Sequence, residues 1–316
     1  MFHTHDDLRR VQLEAGPDHL GRLAALATGL RSFAFAEENL SAHDTAIAAY
    51  HESIDTRGQL LAREPQNLTL RYDQAFAFAL LCGLERPWYG PGAAEKTCSE
   101  GQTLAEGLVA TRPDDAKAHD ALSRALRARG YVDHVAKRDE AARRAFVAAL
   151  DQSRRAMERS PTSPYFKAGA LESLYGMALA DLALGRPDSA RSSLQGAITM
   201  TEERLTEEPT DMQYVANLAA LSVTSGDSER ARGERAKARE DYARGIGHFE
   251  RVVAADASDV DSMLNLAEAN LKLGAVESDG VRRAELRARS QAIVAPLLAA
   301  GEVSPEWRAA LQVAGR

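Results

Sequence analysis

The sequence predicts an all-α fold in which about six antiparallel helix pairs stack into a right-handed α-solenoid. Three observations lead to this prediction: prolines recur at a fixed interval of 48 residues, apolar residues recur around them at helical spacing, and the composition suits close-packed helices. Hydrophobic residues make up 45% of the 316 residues, charged residues 27% and aromatic residues only 6%. This mixture is typical of a soluble, folded, helix-rich protein.

Prolines mark the period. Six of the 11 prolines lie on one grid of 48 residues, where even scattering predicts about 0.2. The grid positions, called anchors below, are Pro17, Pro65, Pro113, Pro161, Pro209, Ala257 and Pro305. Proline suits the first turn of a helix and not its interior, so each anchor predicts the beginning of a helix. The sequence SPEW at 304–307 shows the expected cap, proline and acidic first turn.

Apolar columns on both sides of the anchors predict two helices in each unit. Positions 19, 15, 11 and 4 before an anchor are mostly apolar, and their spacing places them on one face of a helix. Nine and ten positions after an anchor, a mostly leucine column stands beside a mostly small one, which lets two helices approach closely. Each helix has about 20 residues and cannot bury its apolar stripe alone, so the units must stack.

We predict one domain over 1–316. Its units are a half unit or cap at 1–16, then 17–64, 65–112, 113–160, 161–208, 209–256 and 257–304, and a terminal cap helix at 305–316. Turns within units are expected at 38–44, 84–93, 184–189 and 225–229, whereas 129–139 fits a turn or a kinked helix extension. Because Phe2 and Leu13 already occupy apolar columns, the chain begins inside a second helix. That beginning fits a natural capping helix and equally a chain cut from a longer protein.

These residues resemble tetratricopeptide-type helical repeats. The resemblance rests on the inter-unit proline, the small residue ten positions later, the pattern Gly245, Phe249 and Val252 before AADAS, and LNLAEANLKLG at 264–274. The usual period of that family is about 34 residues, and HEAT-type repeats of roughly 40–47 residues are the alternative fold. The large aromatic residue usual six positions after the anchor is replaced here by other residues.

A narrower resemblance is carried by the stretch AYHESIDTRGQLLAREPQNLTLRYDQAFAFALL. It is similar to the helical regions that follow the catalytic domain in some bacterial serine/threonine protein kinases. The resemblance implies the interaction or regulatory region of a bacterial signalling protein. The sequence contains no glycine-rich phosphate loop, HRD or DFG motif, so it predicts no kinase activity.

Residues that could carry catalysis are few. His-Asp dyads, which all-helical metal phosphohydrolases use, occur at 5–6, 43–44 and 119–120, but at different phases of the repeat. Neither HExxH nor CxxC occurs. Cys82 and Cys98 fall at the end of one helix and the start of its partner, and we interpret them as small buried residues in preference to a functional pair. We therefore predict no enzyme, no metal site and no cofactor, with a His-Asp metal hydrolase as an alternative.

Charge and targeting signals limit the partner and the compartment. The net charge of −7, with both signs interspersed, argues against a nucleic-acid or anionic membrane surface. No apolar stretch approaches the ~18 residues of a membrane span, and the N-terminus lacks the order of a secretory signal. Two cysteines cannot hold a chain of this size together, which favours the reducing cytoplasm.

The predicted function is a non-catalytic scaffold that binds a protein or peptide in the concave groove of the solenoid. By resemblance to the tetratricopeptide arrangement, the groove residues are Arg31, Tyr72, Phe76, Lys117, Arg124, Arg127, Tyr165, Glu172, Tyr175 and Gln213. The aromatic members fit a core between units equally well, and the arginines fit a solvated face. Trp88 and Tyr89 predict either an exposed binding loop or a plug. Homo-oligomerisation, such as a homodimer through the N-terminal helix, is the alternative function.

Overall fold

The computed structural model describes residues 19–39 and 42–315, and these form thirteen helices and no strand. The helices are α1 His19–Asn39, α2 His43–Arg63, α3 Leu68–Tyr89, α4 Pro91–Thr111, α5 Ala116–Val135, α6 Asp139–Arg159, α7 Pro164–Ala183, α8 Pro187–Glu207, α9 Met212–Ala231, α10 Arg235–Ala255, α11 Val260–Val276, α12 Gly280–Ala300 and α13 Pro305–Ala314. The half unit predicted at 1–16, with Phe2 and Leu13, lies outside the described residues. Among the described helices, none has the length and hydrophobicity that crossing a bilayer requires.

The chain divides into two compact units. Unit 1 comprises Met1–Val132 and Asp151–Phe166, and unit 2 comprises Asp133–Leu150 and Lys167–Arg316. In unit 1, α1 packs on α2 and α3 on α4, and in unit 2, α9 packs on α10 and α11 on α12. Successive pairs also touch within each unit, α2 on α3 and α10 on α11. The prediction of an all-α fold built from stacked helix pairs is confirmed.

The predicted apolar columns form the core. All five alanines of the column 19 positions before the anchor are fully buried: Ala46, Ala94, Ala142, Ala190 and Ala238. The column 15 positions before the anchor, called the variable column below, is at most 2% exposed, although its side chains differ widely in size and chemistry: Tyr50, Cys98, Phe146, Leu194 and Tyr242. The repeat pattern of the sequence is therefore a pattern of burial.

A small residue of the preceding helix accompanies each member of the variable column. Gly226 leaves so little space that an added Cβ would lie 2.6 Å from the ring of Tyr242. Ala178 and Leu194 belong to one buried cluster. In unit 1 the same two positions are Cys82 and Cys98, which form a disulfide with their Cα atoms 5.3 Å apart. The cysteines are buried as expected, but the preference for an unpaired interpretation is wrong.

The internal proline anchors precede their helices instead of opening them. Pro65, for example, lies in the turn between α2 and α3, and α3 begins three residues later. Asn67 determines that start, because its side chain accepts the backbone N–H of Leu70 at 3.2 Å. The position two residues after the anchor carries a residue suited to capping in five units: Asn67, Asp115, Ser163, Asp211 and Asp259. Pro305 alone among the described anchors opens its helix as predicted, with Ser304 as the cap.

Some predicted turns are displaced. The turns at 38–44 and 184–189 agree with the ends of α1 and α7. The turn predicted at 84–93 contains the observed break but is too wide, because α3 continues to Tyr89 and only Gly90, with φ of 87°, separates it from α4. The turn predicted at 225–229 is also wrong, since α9 runs to Ala231 and the chain reverses at 232–234. Within 129–139, α5 ends at Val135, and Lys137 adopts a positive φ of 60° in the turn.

Candidate functional site

A cavity of about 660 Å³ in unit 1, called the α3–α5 cavity below, is lined by five of the predicted groove residues. Tyr72 and Phe76 come from α3, Lys117 and Arg124 from α5, and Tyr165 from the beginning of α7. They lie 4, 7 or 11 positions after their anchors, which places them on the corresponding faces of the first helices of three units. The structure thus brings together residues that are 93 positions apart in sequence, from 72 to 165.

Two arginines flank the aromatic ring of Phe76. The guanidinium carbon of Arg31 lies 5.3 Å from the ring centroid and that of Arg124 lies 5.2 Å from it. Each guanidinium is also held by a carboxylate: Arg124 Nε donates to Asp120 Oδ2 at 2.8 Å, and Arg31 lies 3.6 Å from Asp73. Cations within about 6 Å of an aromatic ring are attracted to its face. The half-buried Phe76 and its two arginines therefore form an ordered surface that combines apolar and cationic groups.

Tyr72 joins α3 to the beginning of α5. Its hydroxyl donates to Asp115 Oδ2 at 2.6 Å, and the other oxygen of Asp115 accepts the backbone N–H of Lys117 at 2.8 Å. Burial and the hydrogen bond to Asp115 raise the pKa of Tyr72 to about 12. Tyr72 also packs against the buried cluster around Leu108. It belongs both to the core and to the cavity wall.

The rim of the α3–α5 cavity is open to solvent. Tyr165 is 70% exposed, and Lys117 is also accessible at the rim. An aromatic side chain exposed to this extent beside a cavity is a candidate contact for a partner, because tyrosine is enriched among the residues that dominate binding energies.

The remaining predicted groove residues lie elsewhere. Arg127 is only 6% exposed, and its Nη1 donates to Ser123 Oγ at 2.9 Å, so its guanidinium is part of the interior of unit 1. Tyr175 belongs to unit 2, where it is half-buried against a cluster around Leu194, and burial raises its pKa. Glu172 and Gln213 are exposed on α7 and α9 of unit 2.

Trp88 and Tyr89 are helical residues, so the prediction of an aromatic loop is wrong. Trp88 stacks on His43 with ring centroids 3.8 Å apart and packs against the core cluster of α2 and α3. Tyr89 is 51% exposed, and its hydroxyl donates to Asp44 Oδ1 at 2.5 Å. Both rings attach the end of α3 to the beginning of α2, which agrees with the plug interpretation for Trp88.

Asp227, which the sequence pattern did not indicate, organises a charged cluster in unit 2. Its two oxygens accept the Tyr242 hydroxyl at 2.7 Å and Lys272 Nζ at 2.8 Å, and Lys272 also lies 3.2 Å from Glu268. Burial lowers the pKa of Lys272, but the nearby Glu268 and Asp227 outweigh it and raise the pKa overall. The spacing of Glu268 and Lys272, four residues apart on α11, was the available signal.

In the His-Asp dyads at 43–44 and 119–120, the histidine and the aspartate contact different partners. His43 stacks on Trp88, and burial lowers its pKa. The ring nitrogens of His119 lie 2.7 Å from Gln152 Oε1 and 2.8 Å from the Pro113 carbonyl oxygen, while Asp120 binds Arg124. The dyad at 5–6 lies outside the described residues. Within 19–39 and 42–315, no group of three or more His, Cys, Asp and Glu side chains is placed to hold a metal ion.

Comparison with solved structures identifies the fold. The chain is similar to BtubC (BKLC) from P. vanneervenii, with 16% sequence identity and a TM-score of 0.55 over 86% of this chain and 92% of that one. It is also similar to the hypoxic regulator of sterol synthesis Nro1, a nuclear import adaptor, with 12% identity and a TM-score of 0.51 over 98% of this chain and 99% of that one. The chain has a helical-repeat fold. A tetratricopeptide repeat protein from Parabacteroides merdae ATCC 43184 aligns over 90% of each chain with 14% identity and a TM-score of 0.40. No family model and no curated protein matches the chain.

Proposed function

We propose that this chain is a non-catalytic scaffold that binds a protein or peptide at the α3–α5 cavity. The observation that carries the proposal is the position of Phe76, which lines a cavity of about 660 Å³ together with Arg124. Its ring centroid lies 5.2 Å from the guanidinium carbon of Arg124 and 5.3 Å from that of Arg31, which stands outside the cavity lining. A cavity of this size accepts one or a few side chains of a partner. Because Arg31 and Arg124 are already positioned by carboxylates, a partner would lose little side-chain entropy in ordering them.

The class of partner, the signalling role, the compartment and the oligomeric state belong to the same proposal. A net charge of −7 argues for a protein or peptide partner instead of a nucleic acid or a membrane. A bacterial signalling role beside a kinase domain is tested by whether such a domain is encoded in frame upstream. The cytoplasmic location stays a prediction, and the Cys82–Cys98 disulfide argues against the reducing compartment on which it rests. A homodimer remains the alternative function and is tested by light scattering at increasing protein concentration.

The experiment is a selection of peptides from a random library on the purified chain, followed by titration of the selected peptides by fluorescence anisotropy. We expect Tyr165→Ala and Lys117→Ala to weaken binding by about 10-fold or more, the loss typical of a residue that dominates an interface. Lys96→Ala is the matched control, because the Lys96 side chain is 86% exposed on α4 of the same unit and does not line the cavity.

Both substituted residues of the cavity lie at its solvent-accessible rim, so the variants are expected to keep the fold, which circular dichroism checks. If peptides selected on the unchanged chain bind Tyr165→Ala, Lys117→Ala and Lys96→Ala equally well, the α3–α5 cavity is not the binding site.

A further inference from the structure

An acidic residue recurs 20 positions after each of the first six anchors, near the end of a first helix. This set, called the acid column below, comprises Glu37, Glu85, Asp133, Asp181, Glu229 and Glu277. Its members from 85 to 229 are at most 6% exposed. Carboxylates are rarely buried in folded proteins unless a partner accompanies them, so the acid column predicts a repeated contact.

In unit 2, three members of the acid column contact arginines of the preceding second helix. The two partners are always 38 residues apart, and the arginines themselves recur every 48 residues. The nitrogen–oxygen distances are 2.6 Å for Arg143–Asp181, 3.5 Å for Arg191–Glu229 and 3.2 Å for Arg239–Glu277. These ion pairs therefore belong to the way in which the first helix of one unit stacks on the second helix of the unit before it.

The arginine column continues to Arg287 on α12, but this member meets no carboxylate. Arg287 lies 48 residues after Arg239 and so occupies the equivalent position of the last helix pair. Its guanidinium donates to the Gly315 carbonyl oxygen at 2.9 Å, and it forms no ion pair with any residue that the structure describes. Arg287 is thus the member of the column whose acidic partner is missing among the described residues.

Arg283 repeats a second contact with a helix end. Its equivalent one unit earlier is Arg235, which donates to the carbonyl oxygen of Val276, the last residue of α11, at 3.2 Å. The last carbonyl groups of a helix lack partners within the helix and carry partial negative charge, so they attract cations. Together, Arg283 and Arg287 present on α12 the two contacts with which α10 binds the C-terminal end of α11.

The place on α12 where such a helix end would lie is open. A cavity of about 530 Å³ is lined by Arg283, Arg287 and Leu271. An apolar cavity of about 620 Å³ adjoins it, shares Leu271 and Arg287 with it and includes Leu298, which is 43% exposed. Neither cavity shares a residue with the α3–α5 cavity, so a binding site here is independent of the function proposed for that cavity.

The charge of α12 is compensated unequally. The helix carries four arginines and one glutamate, a net charge of 4 − 1 = +3. Arg282 lies 3.0 Å from Glu285, and Arg289 lies 2.6 Å from Glu250. The two remaining arginines, which line the cavity, form no ion pair within the described part of the chain. The uncompensated positive charge of α12 therefore lies at the cavity.

We propose that Arg283 and Arg287 bind the C-terminal end of an amphipathic helix from a partner protein. An aspartate or glutamate near the end of that helix pairs with Arg287, its last carbonyl groups lie on Arg283, and an apolar side chain enters the adjoining apolar cavity. The three ion pairs within unit 2 support this choice of partner, because the same arginine position there binds a carboxylate near a helix end each time. The carboxylate is that of a side chain, so the partner needs no free carboxyl terminus.

The test uses three peptides with the sequences 164–184, 212–232 and 260–280 of this chain, labelled with fluorescein at the N-terminus and amidated at the C-terminus. Each contains one member of the acid column that contacts an arginine in unit 2: Asp181, Glu229 or Glu277. Binding to the full chain is measured by fluorescence anisotropy. We expect at least one peptide to bind, and replacement of its acid by the corresponding amide, such as Glu277→Gln, to weaken binding about 5-fold.

Matched arginine variants locate the site. Arg283→Ala with Arg287→Ala should weaken binding at least about 10-fold, whereas Arg282→Ala with Arg289→Ala removes the same charge from α12 and should leave binding within about 2-fold of the unchanged chain. Arg283 and Arg287 are exposed, so their variants should keep the fold, which circular dichroism checks. In Arg287→Ala alone, the acid and amide forms of the peptide should bind equally, because the partner of the acid is absent.

Four results would each overturn the proposal. They are a failure of all three peptides to bind, equal binding of the acid and amide forms to the unchanged chain, equal losses in the two double arginine variants, and a difference between acid and amide that persists in Arg287→Ala.

Discussion

Replacing Gly226 with alanine measures how closely α9 and α10 pack. The added Cβ would lie 2.6 Å from both Cδ1 and Cε1 of Tyr242, well inside the 3.5–4.0 Å at which carbon atoms attract each other. The ring has little freedom to move away, because Tyr242 is fully buried and its hydroxyl donates to Asp227 at 2.7 Å. The substitution therefore forces the two helices apart or the ring out of its rotamer.

Gly247→Ala on α10 supplies the reference, because Gly247 also lies inside a helix but an added Cβ there meets no atom within 4 Å. Alanine stabilises a helix interior over glycine by about 1 kcal/mol, and this gain is common to both variants. Overpacking a core costs about 1–3 kcal/mol. We expect Gly247→Ala to raise the free energy of unfolding by about 1 kcal/mol and Gly226→Ala to fall about 1–3 kcal/mol below it.

Urea unfolding followed by circular dichroism at 222 nm measures both variants. A second comparison places Gly226→Ala in a chain that already carries Tyr242→Leu, which recreates the Ala178 and Leu194 combination found in another pair of unit 2. In that background the penalty of the added methyl group should disappear. Equal stabilisation by Gly226→Ala and Gly247→Ala in the unchanged chain would contradict close packing of Gly226 against Tyr242.

Three further outcomes are expected from the contacts described. Reduction of the Cys82–Cys98 disulfide, which spans 16 residues, should lower the free energy of unfolding by about 3 kcal/mol, and a chain with both cysteines changed to alanine should no longer respond to the reductant. The pKa of Tyr72 is raised to about 12 in the folded chain, from an ordinary value near 10, so its contribution to stability is complete below pH 10 and is lost as the pH rises through 12. Absorbance at 295 nm should show one tyrosine fewer titrating near pH 12 in Tyr72→Phe, and an unchanged curve would contradict the hydrogen bond to Asp115. The Asp211 side chain caps α9 by accepting the backbone N–H of Tyr214. Asp211→Ala should therefore lower the free energy of unfolding in urea by about 1 kcal/mol, whereas Asp211→Asn should lower it much less.

The core could be predicted from the sequence because burial repeats with the same period as the anchors. Ala46, Ala142 and Ala238 are fully buried at the same position of their units, so this repeated small residue is visible without coordinates. The last pair carries the fully buried Leu286 at that position instead. The variable column accepts side chains of different size, such as Tyr242 and Leu194. The larger Tyr242 is paired with Gly226 on the preceding helix, and the smaller Leu194 is paired with Ala178.

The turns could not be predicted from the same periodicity, because local interactions determine where a helix ends. The capping side chain of Asn67 starts α3 three residues after Pro65, and the positive φ of Gly90 ends it after Tyr89. A search for Asn, Asp or Ser at a fixed distance after each anchor would have found the first of these signals.

The candidate site was predicted in part. Residues at 4, 7 and 11 positions after the anchor, such as Lys117 and Phe76, line the α3–α5 cavity, since the phase of the helix determines the face. Arg127, at 14 positions, is buried because Ser123 one turn earlier offers its hydroxyl to the guanidinium. Such pairing depends on the neighbouring side chains and not on the phase alone. The binding role of the cavity residues stays a prediction.

The disulfide between α3 and α4 has a mechanical consequence. If the chain is stretched from its two ends, the tension passes through the sulfur atoms of Cys82 and Cys98, and the residues between them carry none of it. A fully extended chain spans at most about 3.3–3.6 Å per residue, so the oxidised protein should reach a contour length about 50 Å shorter than the reduced one. Single-molecule pulling with and without a reductant would record this difference as a missing increment of extension.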